Sequence, residues 1–272
     1  MMLWLFLGLL LTYTGMSIYI YRFWRKSSGQ AYPLIREHAI LGVALFAHAY
    51  FVWGNMFSHN MIFMGFGTAL NMTTWLMLLM YWAGSFYHRL QGLQLLLFPW
   101  AVVSLVLCFF LPGQHMGYGA GNLPFLVHLL ASILAYSLFG VSTLLAILVW
   151  KLEHDLHKRN ISALVQFLPP LLGLEKLMFQ SIGIGFMLLT ISVLSGTVFS
   201  EYVFGQSFIW SHKSVFGILS WLIYAALILG RMRFAWRGRT VAKWVIAGFI
   251  CLMLAYIGSK FVLEVVLGRV VS

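Results

Sequence analysis

The sequence predicts an all-α integral membrane protein with about eight transmembrane helices, and three observations favour this fold class. The 272-residue chain is 62% hydrophobic and only 8% charged, whereas a soluble domain carries about 25% charged residues. Its apolar stretches have the length that crosses a bilayer as a helix. Its basic residues fall mainly in alternate connections between these stretches. We therefore expect a single transmembrane domain over residues 1–272.

Eight apolar stretches are predicted as spans, and each is expected to be helical because backbone that faces lipid must bond to itself. The alternating pattern of a membrane β-barrel is absent from the sequence. In the first stretch the charges follow the apolar run rather than precede it, so we interpret it as a retained span and not as a signal peptide. The spans are about 3–21, 36–57, 62–83, 92–112, 123–150, 177–199, 213–230 and 241–267.

The distribution of positive charge predicts the orientation of these spans. The formal net charge is +11, and fourteen of the 17 Lys and Arg residues lie in alternate connections. Because cytoplasmic loops are rich in Lys and Arg, both termini are predicted on the non-cytoplasmic side of the bacterial inner (cytoplasmic) membrane. No basic run is long enough for a nucleic-acid-binding arm, so nucleic acid is not expected as a partner.

Two features of the connections and cysteines bear on function. The connection over about 151–176 is predicted to be cytoplasmic, with a charged first part and an apolar second part that Pro169–Pro170 interrupts. Such an apolar part is expected to lie in the membrane interface.

Cys108 and Cys251 both fall inside apolar runs without CxxC spacing, which argues against a thiol-disulfide carrier.

No catalytic constellation is found in the sequence, so we expect no enzymatic activity. The HExxH, GxSxG and P-loop motifs are absent. Of the six carboxylates, only Glu264 lies well inside a predicted span, near its outer end. Proton-coupled transporters and ion channels usually carry carboxylates at membrane depth, so both classes are disfavoured.

Three of the nine histidines lie at membrane depth or at an outer helix end, namely His128, His212 and His48. One interpretation is an interhelical hydrogen bond at each, worth about 1 kcal/mol. The other is haem ligation, since His128 and His212 fall at similar depth on different spans and imidazole is a common axial ligand. His48 competes with His212 for the second position, and Lys213 is placed to pair with a propionate. His154 and His157 lie in a charged connection and are expected to be solvated.

The sequence resembles a known family from His128 onwards. The segments HLLASILAYSLFGVSTLLAILVWKLEHDLHKRN, LPPLLGLEKLMFQSIGIGFMLLTISVLSGTVFSE and WSHKSVFGILSWLIYAALILGRMRFAWRGRTVAKWVIAGFICLMLAYIG follow one another in order. Together they are similar to the core of the cytochrome c assembly (CcsA/HemX-like) membrane proteins, and in particular to the YpjD-type inner membrane branch. The resemblance covers about residues 60–268 and is strongest over 123–260.

This resemblance implies haem handling near the outer face. His128 matches a haem-ligand position of the family, and Lys213, Trp221 and Tyr224 match its WDxKE…WLIY segment. The tryptophan-rich haem loop of the cytochrome c synthetases is absent, and the stretch Trp210–Lys213 lacks the family aspartate. A second family histidine is replaced in the stretch Leu229–Arg231. These departures imply a protein that binds b-type haem non-covalently without attaching it, with haem, lipid and cytochrome c biogenesis proteins as partners. His212 is not carried over from the family and depends on its depth and side alone.

Two alternatives remain open at this stage. The chain is a membrane adaptor or regulator that keeps the fold without a cofactor, with the connection over 151–176 docking a partner. Or it is an accessory to the transport of a small solute or ion.

Overall fold

The computed structural model is an all-helical bundle, as predicted. It describes residues 2–26, 32–58, 61–62, 64–90, 92–111, 118–119, 123–158, 168–198 and 212–258. Within these residues there are eight α-helices: α1 (Met2–Lys26), α2 (Leu34–Met56), α3 (Phe66–Gly84), α4 (Gln94–Phe110), α5 (Leu123–His157), α6 (Leu171–Val198), α7 (His212–Phe234) and α8 (Gly238–Met253). A π-helical turn over Leu254–Gly258 continues α8.

Five of these helices, α1, α2, α5, α6 and α7, are long and apolar enough to cross a membrane. The other three, α3, α4 and α8, coincide with predicted spans and are shorter or less apolar. The fold class is therefore confirmed. The placement of both termini outside the cytoplasm stays a prediction. The last predicted span runs to residue 267, and its end lies outside the described residues together with Glu264.

Short strands, which the sequence analysis did not predict, join two connections at the predicted outer side. They are β1 (Phe57–Ser58), β2 (Met61–Ile62) and β3 (Tyr118–Gly119), in the order β1-β2-β3. Phe57 is opposite Ile62, and Ile62 is in turn opposite Tyr118, both in antiparallel register. The connection before α5 is thus held against the one between α2 and α3.

The core of the bundle lies around α5. In its most apolar stretch 72% of the residues are buried, against 22–39% in the other four spanning helices. Helix α5 packs against α3, α6 and α8, while α1–α4 pack among themselves. On α5, Phe139 is fully buried and stacks on Tyr224 of α7 with a centroid distance of 3.8 Å. The helix that begins near His128 is therefore the element that joins the two halves of the bundle.

The connection over 151–176 differs from its prediction at both ends. Helix α5 continues past residue 150 to His157, since this stretch contains helix-forming residues and an ion pair one turn apart, Lys151 Nζ to Asp155 Oδ1 at 3.0 Å. Helix α6 begins at Leu171, directly after Pro169–Pro170. The carbonyl of Pro170 accepts from the backbone N–H groups of Gly173 and Leu174, so the two prolines precede a spanning helix. Residues 159–167 lie outside the described residues.

Helices α3 and α4 approach closely at Gly67. A Cβ added at this glycine would lie 2.5 Å from the Leu111 carbonyl oxygen and 2.8 Å from Cys108 Cα. Because both atoms belong to backbone, the helices must move apart to accept a methyl group. We expect Gly67→Ala to lower the free energy of unfolding by about 1–3 kcal/mol, as overpacking does.

Thermal unfolding of the purified protein in detergent measures this effect. Gly183→Ala on α6 is the matched control, since a Cβ there meets no atom within 4 Å. The control is expected to leave the midpoint unchanged or slightly raised. Equal midpoints for the two variants would contradict the close approach.

Candidate functional site

His128 lies in the second turn of α5 and contacts the end of α6. Its side chain is half-buried, and its Nδ1 lies 2.8 Å from the hydroxyl oxygen of Ser195. That hydroxyl also lies 3.0 Å from the carbonyl oxygen of Ser192, one turn earlier on α6. The sequence analysis singled out His128 but not its serine partner.

These two contacts bear on the protonation of the imidazole ring. A serine hydroxyl has one hydrogen to donate, and the Ser192 carbonyl can only accept it. When the Ser195 hydrogen is directed to this carbonyl, the Ser195 oxygen accepts from His128 and Nδ1 carries the hydrogen. In neutral histidine only one ring nitrogen is protonated. The contacts therefore favour the tautomer in which Nε2 is the nitrogen able to bind a metal.

Further polar contacts and a glycine hold this part of α5 against α6. The Ser132 hydroxyl donates its one hydrogen to the His128 carbonyl at 2.6 Å. Its oxygen therefore accepts from the Ser192 hydroxyl, also at 2.6 Å. A Cβ added at Gly196 would lie 3.2 Å from His128 Cε1. Small residues on α6 therefore let the imidazole lie directly on the neighbouring helix.

His212 and Lys213, the other predicted outer-face residues, are the first two residues of α7. The His212 side chain is exposed and that of Lys213 is half-buried. The preceding residues 199–211 lie outside the described residues. That His128 and His212 share one iron stays a prediction.

Two aromatic residues of the family-like segment anchor α7 to the helices that carry His128 and Ser195. The Trp221 indole donates to Thr190 Oγ1 on α6 at 2.9 Å, and its ring stacks on Phe186. Tyr224 is fully buried, stacks on Phe139 of α5 and donates to the Val245 carbonyl of α8 at 3.4 Å. These residues position the helix that begins at His212.

His48 lies in a different environment, fully buried among α1, α3 and α4. Its Nδ1 is 3.0 Å from the Tyr13 hydroxyl, and its Nε2 is 3.0 Å from Asn71 Oδ1. With the amide oxygen facing the ring, Nε2 donates to Asn71 and Nδ1 accepts from Tyr13. Ser104 of α4 adds a longer contact to the same amide oxygen, at 3.5 Å. Both ring nitrogens of His48 are thus engaged in interhelical hydrogen bonds.

Three carboxylates, Glu37, Asp155 and Glu175, are buried near helix ends, whereas the sequence was expected to place only Glu264 inside a span. Glu37, in the first turn of α2, is 5% exposed and accepts from the Tyr81 hydroxyl at 2.5 Å. Glu175, in α6, is 3% exposed. Buried carboxylates are tolerated where hydrogen bonds stabilise them. Just outside α2, burial and the nearby Glu37 raise the pKa of Tyr32, so this tyrosine stays protonated.

Glu175 brings two family-like segments together at the predicted cytoplasmic side. Its Oε1 accepts from the backbone N–H of Gly238 at 2.8 Å, and its Oε2 lies 3.8 Å from Arg231 Nη1. A carboxylate at the N-terminus of α8 interacts favourably with the helix dipole. Gly238 has φ +61°, a conformation that favours glycine. The contact joins Leu174–Lys176 to Trp236–Arg239, both of which lie in the family-like segments.

His154 also contributes to this corner. Arg239 Nη2 lies 3.0 Å from His154 Nδ1, and because a guanidinium only donates, the imidazole nitrogen accepts. His154 is therefore paired, and its side chain is half-buried, whereas a solvated side chain was expected from the sequence. Among the described residues, no group of three or more His, Cys, Asp or Glu side chains is arranged to hold a metal ion.

Comparison with known proteins decides the family of this chain. Residues 38–267 match the family described as cytochrome C assembly protein. The chain belongs to the cytochrome c assembly family. This membership confirms the resemblance found in the sequence.

Individual relatives cover smaller parts of the chain. The inner membrane protein YpjD of Escherichia coli (strain K12) is 29% identical over 171 residues, which are 63% of this chain and 64% of YpjD. The cytochrome c biogenesis protein CcsA of Guillardia theta is 28% identical over 151 residues, half of each chain. CcsA of Prochlorococcus marinus (strain NATL1A) is 36% identical over 85 residues, 31% of this chain and 27% of that protein. The chain thus spans about 64% of the length of YpjD and less of the CcsA proteins.

The family and the five apolar helices together confirm a multi-pass membrane protein. YpjD is named as an inner membrane protein, in agreement with the inner membrane predicted for this chain.

The His48 hydrogen bonds lead to a stability prediction. Asn71→Leu removes the acceptor of the imidazole N–H in a fully buried position, and we expect a loss of about 1 kcal/mol for each interhelical bond broken. Thermal unfolding in detergent is the measurement. Thr73→Val is the control on the same helix, because the Thr73 hydroxyl bonds only to the Ala69 carbonyl of its own helix. An Asn71→Leu variant as stable as this control would contradict a structural role for the network.

Proposed function

We propose that this protein binds haem near the outer face of the bacterial inner membrane and serves cytochrome c assembly without itself attaching haem. The observation that carries the proposal is the interhelical contact of His128, whose Nδ1 lies 2.8 Å from the Ser195 hydroxyl oxygen on α6. With Nδ1 donating to Ser195, Nε2 is the ring nitrogen that would bind a metal. Family membership, and relatives named as cytochrome c biogenesis proteins, direct this ligand towards haem iron.

The surroundings of His128 fit a metal-binding imidazole. Histidine ligands usually donate their second ring N–H to an oxygen, which fixes the ring and makes the ligating nitrogen more basic. Ser195 accepts such a bond, and Gly196 provides the space beside the ring. Once bound, haem would supply a redox-active iron whose potential depends on its axial ligands.

The second axial ligand is proposed to be His212, with Lys213 pairing with a propionate. His212 begins a helix that Trp221 and Tyr224 anchor to α6 and α5, the helices of the His128 site. The competing ligand, His48, has hydrogen bonds at both ring nitrogens and must lose one of them to coordinate iron. The arrangement therefore supports His212 over His48.

Non-covalent, b-type binding is the mode that the cysteines support. Covalent attachment of c-type haem uses a CxxCH motif. Cys108 is buried and Cys251 is half-buried, each in a separate helix. The proposal accordingly assigns the protein a holding role, with cytochrome c biogenesis proteins as its partners.

The absorbance spectrum of the purified protein tests the proposal. After expression with haem supply, we expect a Soret band that His128→Ala abolishes, because an axial ligand is lost. His157→Ala is the control, since this exposed histidine contacts only the backbone carbonyl of Glu153 among the described residues. A protein without a Soret band, or a band that survives His128→Ala, would refute haem binding at this site.

Ser195→Ala tests the supporting hydrogen bond separately. We expect the variant to fold and to retain haem, with an affinity about 10–100-fold weaker, as is typical when the partner of a histidine ligand is removed. Haem titration followed at the Soret band measures the change, and Ser195→Thr should restore most of the affinity. Unchanged affinity in Ser195→Ala together with loss in His128→Ala would leave the ligand in place but reject the role of Ser195.

A membrane adaptor is the second candidate function, and the extension of α5 favours it. Beyond residue 150 this helix presents exposed side chains at the predicted cytoplasmic side, including Lys151 and Leu156, and the exposed Lys158 follows its last residue. Partners recovered by affinity capture discriminate between the two functions. A partner that binds His128→Ala but not a protein with residues 151–158 exchanged would support the adaptor.

A further inference from the structure

A groove of about 610 Å³ lies between α1 and α4, apart from the His128 site. Its α1 wall is formed by Ser17, Ile18, Tyr21, Arg22 and Arg25, which share one face of the helix, and its α4 wall by Leu95 and Pro99. By the charge distribution this groove lies at the cytoplasmic boundary of the membrane. None of the proposed haem ligands lines it.

The charge of the groove is concentrated at one end. Arg22 and Arg25 are exposed side chains about one turn apart, and no carboxylate is among the lining residues. Guanidinium groups present several N–H donors in a plane and bind phosphate oxygens well. This end of the groove therefore favours an anion, and in particular a phosphate group.

Exposed apolar side chains also line the groove. Ile18 is 48% exposed and Tyr21, directly before Arg22, is 58% exposed, so the groove opens sideways, where acyl chains would surround the bundle. Leu95 and Pro99 form the apolar wall opposite α1.

We propose that this groove binds an anionic phospholipid of the cytoplasmic leaflet. The phosphate lies against Arg22 and Arg25, and an acyl chain runs along Ile18, Leu95 and Pro99. Charge complementarity selects the anionic headgroup, and the sideways opening selects a lipid over a soluble anion. The proposal does not depend on haem binding.

Lipid retention measures the proposed site. The full-length protein is extracted from vesicles of phosphatidylglycerol and phosphatidylcholine in equal amounts, and the bound lipids are counted by native mass spectrometry. We expect the protein to retain phosphatidylglycerol preferentially, and Arg22→Gln/Arg25→Gln to reduce this retention about ten-fold or more, since each basic residue near an anionic headgroup contributes separately. Both arginines are exposed at the end of α1, so the variant is expected to fold.

Two controls separate a specific groove from general positive charge. Arg233→Gln/Lys243→Gln removes two exposed cations from the same predicted side and should leave retention unchanged. Ile18→Trp keeps the charge but fills the groove, and it should reduce retention as the arginine variant does. Equal losses in both charge variants, or full retention in Ile18→Trp, would overturn the groove as the binding site.

Thermal unfolding in detergent separates the possible ligands. Added phosphatidylglycerol should raise the midpoint of the unmodified protein, whereas phosphatidylcholine and inorganic phosphate should not. A rise of the same size with inorganic phosphate would replace the lipid by a free anion. Loss of a Soret band in the arginine variant, with lipid retention unchanged, would assign the groove to a haem propionate and overturn the lipid.

Discussion

The burial of α5 is the constraint on which the rest of the bundle depends. A helix inside a membrane satisfies its own backbone, so each polar side chain on it needs a partner from a neighbouring helix or from its own turn. On α5, Ser137 and Thr143 bond to carbonyls of the preceding turn, and the Tyr136 hydroxyl donates to the Leu252 carbonyl of α8 at 2.6 Å. His128 is different because its partner, Ser195, lies on another helix that also carries the acceptor for the serine hydrogen. That arrangement favours one direction for the hydrogen bond between the two helices, from His128 Nδ1 to the Ser195 hydroxyl oxygen.

Most of the family-like residues take part in packing at the two ends of the four helices α5–α8. Trp221 and Tyr224 join α7 to its neighbours through an indole hydrogen bond and a stacked ring. At the predicted cytoplasmic end Glu175 receives the N–H of Gly238, and a Cβ added at Gly230 would approach within 2.4 Å of the Trp236 ring. These contacts hold α5, α6, α7 and α8 in one arrangement. They leave His128 as the family-like residue whose chemistry goes beyond packing, which is why the proposed function rests on it.

The sequence predicted the helices and the histidines better than it predicted their partners. The length and apolarity of a segment indicate a span even when its neighbouring helices are not known. The predicted spans and the observed helices therefore agree to within a few residues at most of their ends. The partners of His128 and His48 depend on the rotation of one helix against another, which apolar runs of similar composition do not encode. Asn71 carried a signal that was not used, because an amide in an apolar helix is costly and needs a partner. Ser195 gave none, since serine is common in spans and bonds to its own helix as readily as to another. The helical continuation to His157 was not predicted, because charged residues after Trp150 indicate where a helix leaves the membrane. They do not indicate where the helix itself ends.

The contrast between His48 and His128 shows what distinguishes a structural histidine from a ligand in a membrane bundle. Depth does not, because His48 is the more buried of the two. The chemistry of the partners does. Tyr13 donates to one nitrogen of His48 and Asn71 accepts from the other, so both its polar atoms are used to join helices. At His128 the Ser195 hydroxyl has a carbonyl of its own helix as an acceptor, which favours the tautomer in which Nδ1 of the ring donates. The half-buried histidine whose contacts favour a protonated Nδ1 is therefore the better candidate for a metal ligand, and in this chain that argument selects the same residue as the family resemblance.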